Sequence, residues 1–131
     1  MKGYRVATKT YIALLLSSFV LLSACSQSNA ARIGQVTTGG DPHRGAAAIS
    51  RYGCGSCHII PGISGAVGLA GPPLSNIADR YYIAGVTQNT PDHMISWLKN
   101  PKAIDEKTLM PNLGVSERDA ADIAAYLYTL R

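Results

Sequence analysis

The sequence is poor in the residues that build zinc sites. It has three cysteines and three histidines in 131 residues, and one closely spaced cysteine pair, Cys54 and Cys57, followed directly by His58. A structural zinc ion takes four ligands, commonly from two such half-sites. The other two histidines, His43 and His93, stand at no usual finger spacing from this pair. The scarcity of ligands therefore argues against zinc.

The chain also lacks clear strand runs, internal repeats and a large excess of charge. Without a strand before Cys54, the βαβ context of a thioredoxin-like redox pair is missing. Of the twelve Lys and Arg residues, three lie among the first ten residues, which leaves nine basic against eight acidic residues, a net charge of +1. That charge does not support a polybasic surface for nucleic acid or membrane.

The apolar run near the N-terminus, Tyr11–Ala24, is too short for a typical membrane span. It has 14 residues, whereas a spanning helix needs about 20. The order of basic head, apolar middle and small residues is that of an export signal. Leu22-Ser23-Ala24-Cys25 resembles the lipobox of bacterial lipoproteins, which implies cleavage before Cys25 and acylation of its thiol. A plain signal peptide with an incidental cysteine is the alternative.

Three regions follow from this N-terminus. Residues 1–24 are predicted to be a signal peptide with a lipobox. Residues 25–40, rich in Ser, Asn, Gln, Thr and Gly, are predicted to be a lipidated Cys25 and a flexible tether, of about 20 Å as a random coil. Residues 41–131 are predicted to form one domain. It would lie outside the cytoplasm on a bacterial membrane, on the periplasmic face in a Gram-negative cell.

Helix start signals divide this domain. Asp41-Pro42 and Thr90-Pro91 each place a capping side chain before a proline in the first turn, and Ser116 begins a sequence similar to a capping box. The first helix is predicted to end at Gly53. A glycine inside this helix, Gly45, indicates close approach of another element. The pattern predicts an all-α domain.

Cys54-Gly-Ser-Cys57-His58 brings two thiols and an imidazole within five residues. The two sulfurs can add to the two vinyl groups of a haem and form thioethers, while His58 is left to bind the iron. A structural disulfide is the remaining alternative, but it leaves His58 unexplained. In an exported chain, the motif at the end of a helix predicts one covalently attached haem c.

A second axial ligand is expected from a methionine. Met110-Pro111 lies in an irregular segment before the last predicted helix, where the proline stiffens the loop. A Met/His ligand pair raises the reduction potential of a haem. Met94 is the rival, but it stands on a predicted helix beside Trp97 and Leu98, where a methionine usually fills the core.

Together these features resemble a class I c-type cytochrome over Asp41–Arg131. The resemblance is carried by Gly45 and Tyr52 before the cysteine motif, Gly71-Pro72-Pro73-Leu74, Trp97-Leu98-Lys99-Asn100-Pro101-Lys102, Met110-Pro111 and Ala125-Tyr126-Leu127. It implies the cytochrome c fold, with about three to five helices wrapped around one covalently attached haem.

The resemblance also implies roles for single residues. The carbonyl of Pro72 would accept a hydrogen bond from the imidazole of His58, which fixes the ring and strengthens it as a ligand. Gly45 would face Tyr126 where the first and last helices cross. Arg80 is similar to an arginine that binds a haem propionate. Trp97 stands where the family often has an aromatic lining the methionine side of the pocket.

In one segment the sequence departs from the family. The family usually turns through Pro-Gly shortly before the axial methionine, whereas this chain has Asp105–Leu109 there. The loop that carries Met110 is therefore expected to be loosened.

The implied function is one-electron transfer rather than catalysis, because a haem with both axial positions filled has no place for substrate. The resemblance is to small or fused cytochrome domains that serve haem-copper oxidases. The predicted protein is therefore a carrier of an extracytoplasmic respiratory chain that delivers electrons to such an oxidase or a related membrane complex. The alternatives are a haem enzyme or gas sensor in which Met110 detaches, and a permanently docked subunit of an oxidoreductase complex.

Overall fold

The structure, a computed structural model, describes residues 29–131. The predicted signal peptide and Cys25 lie outside the described residues. The helices are α1 (29–38), α2 (Pro42–Arg51), α3 (Pro91–Lys99), α4 (Pro101–Ile104) and α5 (Glu117–Leu127). Two single 3-10 turns cover Cys54–Ser56 and Ile77–Asp79. The prediction of an all-α fold is confirmed.

Within residues 29–131, a short hairpin is the only regular element that is not helical. Strands β1 (Tyr82–Ile83) and β2 (Thr87–Gln88) pair antiparallel, with Tyr82 opposite Gln88 and Ile83 opposite Thr87. Two residues are too few to show the alternation by which a strand is recognised in a sequence. The hairpin was therefore absent from the sequence-based prediction.

The predicted caps start the three longer helices after α1. The side chains of Asp41, Thr90 and Ser116 each accept a hydrogen bond from a backbone amide in the first turn of α2, α3 and α5. Pro42 and Pro91 occupy the first turn of α2 and α3, where the missing amide costs no hydrogen bond. The start signals read from the sequence are therefore confirmed.

Helices α2 and α5 cross at Gly45, as the family resemblance implies. A Cβ added to Gly45 would clash with the carbonyl oxygen of Asp122 and would lie 3.0 Å from the Cβ of Tyr126. Only glycine allows the two backbones to approach this closely. The helix that ends at the cysteine motif is thus fixed on the last helix.

A buried carboxylate joins the same two helices. Asp122 is 2% exposed, and it accepts hydrogen bonds from the backbone amide of Asp41 (2.6 Å) and from the guanidinium of Arg44 (2.8 Å to each of two nitrogens). Arg44 lowers the pKa of Asp122, and the Asp41 amide adds to this effect. The start of α2 is therefore held on α5 by a charged pair.

Residues 29–38 form α1, where the sequence predicts a flexible tether. A Cβ on Gly34 would clash with the carbonyl oxygen of Ala125, and one on Gly40 with that of Ala121. The hydroxyl of Thr38 donates to the Ala121 carbonyl at 3.2 Å. The prediction is wrong here because tertiary packing stabilises a helix that its polar composition does not favour. The compact unit begins at Ala31, earlier than the predicted boundary at residue 41.

The core lies between α2, α3 and α5 and the loops that cover them. Its fully or nearly fully buried apolar residues include Ile49, Met94, Trp97, Leu98, Ile123, Ala124 and Leu127. Within residues 29–131, no helix has both the length and the apolar character needed to cross a bilayer.

Candidate functional site

The cysteine motif lies in a turn that follows α2 directly. Gly53 adopts a left-handed conformation (φ 70°), which ends the helix and turns the chain. The amides of Cys57 and His58 both donate to the Cys54 carbonyl, at 3.2 and 3.0 Å. Both cysteines are free thiols and partly buried, and burial raises the pKa of the Cys54 thiol. One short turn therefore presents two thiols and an imidazole.

The ring of His58 is oriented by the loop that follows. Its Nδ1 lies 2.8 Å from the carbonyl oxygen of Pro72, which accepts a hydrogen bond when Nδ1 carries the proton. A Cβ on Gly71 would overlap the His58 ring, so this loop can approach only because residue 71 is glycine. A proton on Nδ1 leaves Nε2 with the lone pair that a metal requires. The pairing of His58 with Pro72 is the one that the resemblance implies.

Backbone hydrogen bonds attach the 59–74 loop to the motif. The Gly68 amide donates to the carbonyl oxygen of Gly55 (3.0 Å), and the Gly71 amide donates to the carbonyl oxygen of Cys57 (2.8 Å). A Cβ on Gly55 would lie only 2.7 Å from the Cα of Ala66. The glycines that make this loop irregular in sequence thus allow it to pack on the cysteine turn.

Met110 and Met94 lie in different surroundings. Met94 is 2% exposed in the core, on α3. Met110 is partly buried, contacts the core from the loop between α4 and α5, and follows Leu109, which is 95% exposed. Met94 is thus used as core filling, as the sequence analysis expected, whereas the loop methionine lies at the edge of the core.

Arg80 and Trp97 occupy different parts of the site region. The guanidinium of Arg80 donates to the carbonyls of Pro73 (2.5 Å) and Ser75 (3.0 Å), in the loop that holds His58. It also lines an open cavity of about 420 Å³ with the hairpin residues beside it. Trp97 is 6% exposed and packs in the core. Arg80 is therefore joined to the His58 loop, and Trp97 is a packing residue.

The sequence analysis missed a pair that positions the Arg80 segment. The side-chain amide of Asn89 donates to the carbonyls of Ile77 (2.7 Å) and Arg80 (2.9 Å). The hydroxyl of Tyr128 donates to the Asn89 side-chain oxygen at 2.9 Å, and burial raises the pKa of Tyr128 to about 12. No local pattern distinguishes such an asparagine from one in a solvated turn.

The residues present fit a covalently bound haem. The site offers two free thiols, an imidazole whose Nδ1 is already paired and a partly buried thioether. Three apolar side chains near these groups are exposed: Leu109 (95%), which precedes Met110, and Val67 (74%) and Leu69 (84%), in the loop that packs on the cysteine turn. Exposed apolar groups next to candidate ligands suit a large apolar cofactor.

Comparison with known proteins agrees with this chemistry. The family model described as Cytochrome c matches residues 43–131. A protein named cytochrome c oxidase subunit 2, from Alkalihalophilus pseudofirmus, is 32% identical over 79 residues, which is 60% of this chain and 22% of that protein. The chain thus spans only about a fifth of this relative. No solved structure matches the chain.

Proposed function

The chain belongs to the cytochrome c family, whose members bind haem and transfer electrons, and from this premise we propose that it is a one-electron carrier with axial ligands His58 and Met110. A bound haem would supply the exchange of single electrons. Cys54 and Cys57 would hold it through thioether bonds. These bonds would keep the cofactor in place outside the cytoplasm.

The observation that carries this proposal is the hydrogen bond between His58 Nδ1 and the Pro72 carbonyl. It orients the ring and leaves Nε2 free, so that His58 would hold the haem iron through this atom, and it would make the imidazole a stronger donor. A structural disulfide between the two cysteines would give no role to a neighbouring histidine whose Nδ1 faces a carbonyl oxygen and whose Nε2 is left for a metal.

Met110 is proposed as the second axial ligand because it combines a soft thioether with an accessible loop position. A thioether favours ferrous iron and so raises the reduction potential. Met94 is buried in the core, so it could bind the iron only by leaving its packed position.

The test is the ligand state of the haem protein. A ferric absorption band near the red end of the visible spectrum, from methionine-to-iron charge transfer, is expected, together with slow CO binding to the reduced protein. Absence of the band with rapid CO binding would instead support a haem enzyme or gas sensor with an open iron.

The proposed electron acceptor is a haem-copper oxidase or a related respiratory complex. Support comes from the similarity to a protein named cytochrome c oxidase subunit 2, in 79 residues of this chain. Oxygen consumption by membranes supplied with the reduced protein tests this acceptor. Stoichiometric co-purification with a membrane complex would instead indicate a permanently docked subunit.

The proposed location is the outer side of a bacterial membrane, with the lipid on Cys25. The lipobox sequence before Cys25 supports this.

A further inference from the structure

The backbone of the segment that carries Met110 receives few hydrogen bonds, although the Met110 side chain packs against the core. Within the part of the chain that the structure describes, the backbone amides of residues 106–114 make one hydrogen bond to a backbone carbonyl, from Thr108 to Asp105 at 3.1 Å. Leu109 is 95% exposed. Pro111 is also exposed and has no amide to donate. The position of Met110 therefore depends strongly on local contacts.

Thr108 makes the contact that holds Met110 directly. Its hydroxyl oxygen accepts a hydrogen bond from the Met110 amide at 3.2 Å. Asp105 supports Thr108 in turn, because its carboxylate accepts from the Lys107 amide at 3.0 Å and its carbonyl accepts from the Thr108 amide. Bonds of this kind stabilise turns in which the backbone alone makes few contacts.

We propose that Thr108 is a positioning residue for the axial methionine and that it does the work of the Pro-Gly turn that this chain lacks. The proposal rests on the proposed function, in which Met110 binds the iron. The Thr108 hydroxyl holds the amide of Met110 itself, so it restricts the backbone angles from which the thioether projects. A restricted backbone lowers the entropy that is lost when the sulfur stays bound.

Two variants of the haem protein separate the hydroxyl from the shape of the side chain. Thr108→Val keeps the branched shape and removes the acceptor, whereas Thr108→Ser keeps the hydroxyl. Thr108→Val is expected to weaken the methionine-to-iron band, lower the reduction potential and raise the rate of CO binding about fivefold, the factor that one lost hydrogen bond corresponds to. Thr108→Ser is expected to behave like the unchanged protein.

Thr37→Val is a matched control, because the Thr37 hydroxyl donates to the Ile33 carbonyl on the exposed side of α1. It should change none of these readouts. Hydrogen exchange of the Met110 amide provides a second measurement that does not depend on ligation. Exchange should be about five times faster in Thr108→Val than in the unchanged protein.

The possible results separate the two proposals. If Thr108→Val leaves the band, the CO rate and the exchange of the Met110 amide unchanged, the positioning role is overturned. Failure of Thr108→Ser to preserve them also overturns it, since the hydroxyl would then not be the cause. If Met110→Ala leaves the band and potential unchanged, the ligand assignment is wrong, and the role of Thr108 falls with it. If Met110→Ala abolishes the band, the ligand assignment stands whatever Thr108→Val does.

Discussion

The two methionines of the cytochrome domain carry the same thioether but differ in what surrounds it. Met94 is enclosed by the core of α3 and α5, at 2% exposure. Met110 lies in a loop whose neighbouring residues Leu109 and Pro111 are exposed. A methionine packed on all sides contributes to the stability of the fold. A methionine at the edge of the core is available to bind a metal.

Alanine substitutions should therefore separate ligation from packing. Met110→Ala is expected to abolish the methionine-to-iron band and lower the reduction potential while the haem stays attached. Met94→Ala is expected to keep the band and to lower the free energy of unfolding by about 2–5 kcal/mol, because it leaves a cavity in the core. Visible spectroscopy, redox titration and denaturant unfolding measure these effects. Loss of the band in Met94→Ala with its retention in Met110→Ala would reverse the assignment.

How far the site could be predicted depends on whether its residues share a local pattern. Cys54, Cys57 and His58 are adjacent in sequence, and their chemistry alone suggests haem attachment. The pairing of His58 with the Pro72 carbonyl spans fourteen positions and came from the family resemblance rather than from spacing. The hydrogen bond between Thr108 and Met110 could not be read from sequence, because a threonine two residues from a methionine has many possible partners.

At the scale of elements, Asp122 is the charged contact between α2 and α5. Arg44 and the Asp41 amide lower its pKa below the value in an unfolded chain, about 3.9. The ionised carboxylate therefore stabilises the fold above about pH 4, and this contribution is lost as the pH falls through the lower pKa of the folded state.

Asp122→Asn is expected to lower the free energy of unfolding by about 1–3 kcal/mol at pH 7, since Arg44 loses its charged acceptor. The stability difference between pH 7 and pH 3 should become smaller in this variant. It should not vanish, because the Tyr52 hydroxyl also lowers the pKa of Asp119. Urea unfolding at both pH values measures the change. An unchanged difference in unfolding free energy between pH 7 and pH 3 would show that the Asp122–Arg44 pair does not contribute to the pH dependence of stability.

Gly34 tests whether α1 is held by its fit to α5. Gly34→Val is expected to release the helix, because a side chain there meets the Ala125 carbonyl. Limited proteolysis should then cut within residues 29–38, while the haem band is unaffected. Val36→Ala is the control, because the Val36 side chain on α1 is 80% exposed. Equal protection of α1 in both variants would contradict the proposed packing.

The elements that could be predicted are those with start signals of their own. Asp41, Thr90 and Ser116 cap the helices that they were expected to cap. Helix α1 was missed because its stability comes from Gly34 and Thr38 against α5, and the Thr38 contact with Ala121 spans 83 positions in sequence. Local composition contains no information about such a distant partner.

At the scale of the whole molecule, α1 shortens the proposed tether. The compact unit begins at Ala31, six residues after Cys25, so the intervening chain spans at most about 21 Å when fully extended. A tether that reached residue 40 would span more than twice that length. A lipid on Cys25 would therefore keep the domain near the membrane surface, which suits delivery of electrons to a complex in the same membrane.

Cys25→Ser tests the lipid and this arrangement together. The unchanged protein is expected to enter the detergent phase in a two-phase extraction, whereas Cys25→Ser, which has no thiol to acylate, should stay in the aqueous phase with its haem band intact. Its electron delivery to oxidase in membranes should fall, because the local concentration that a shared surface provides is lost. Met110→Ala is the control, since it should remain in the detergent phase while its potential changes. An unchanged protein in the aqueous phase, or a mature N-terminus beyond Cys25, would show that the domain is not lipid-anchored.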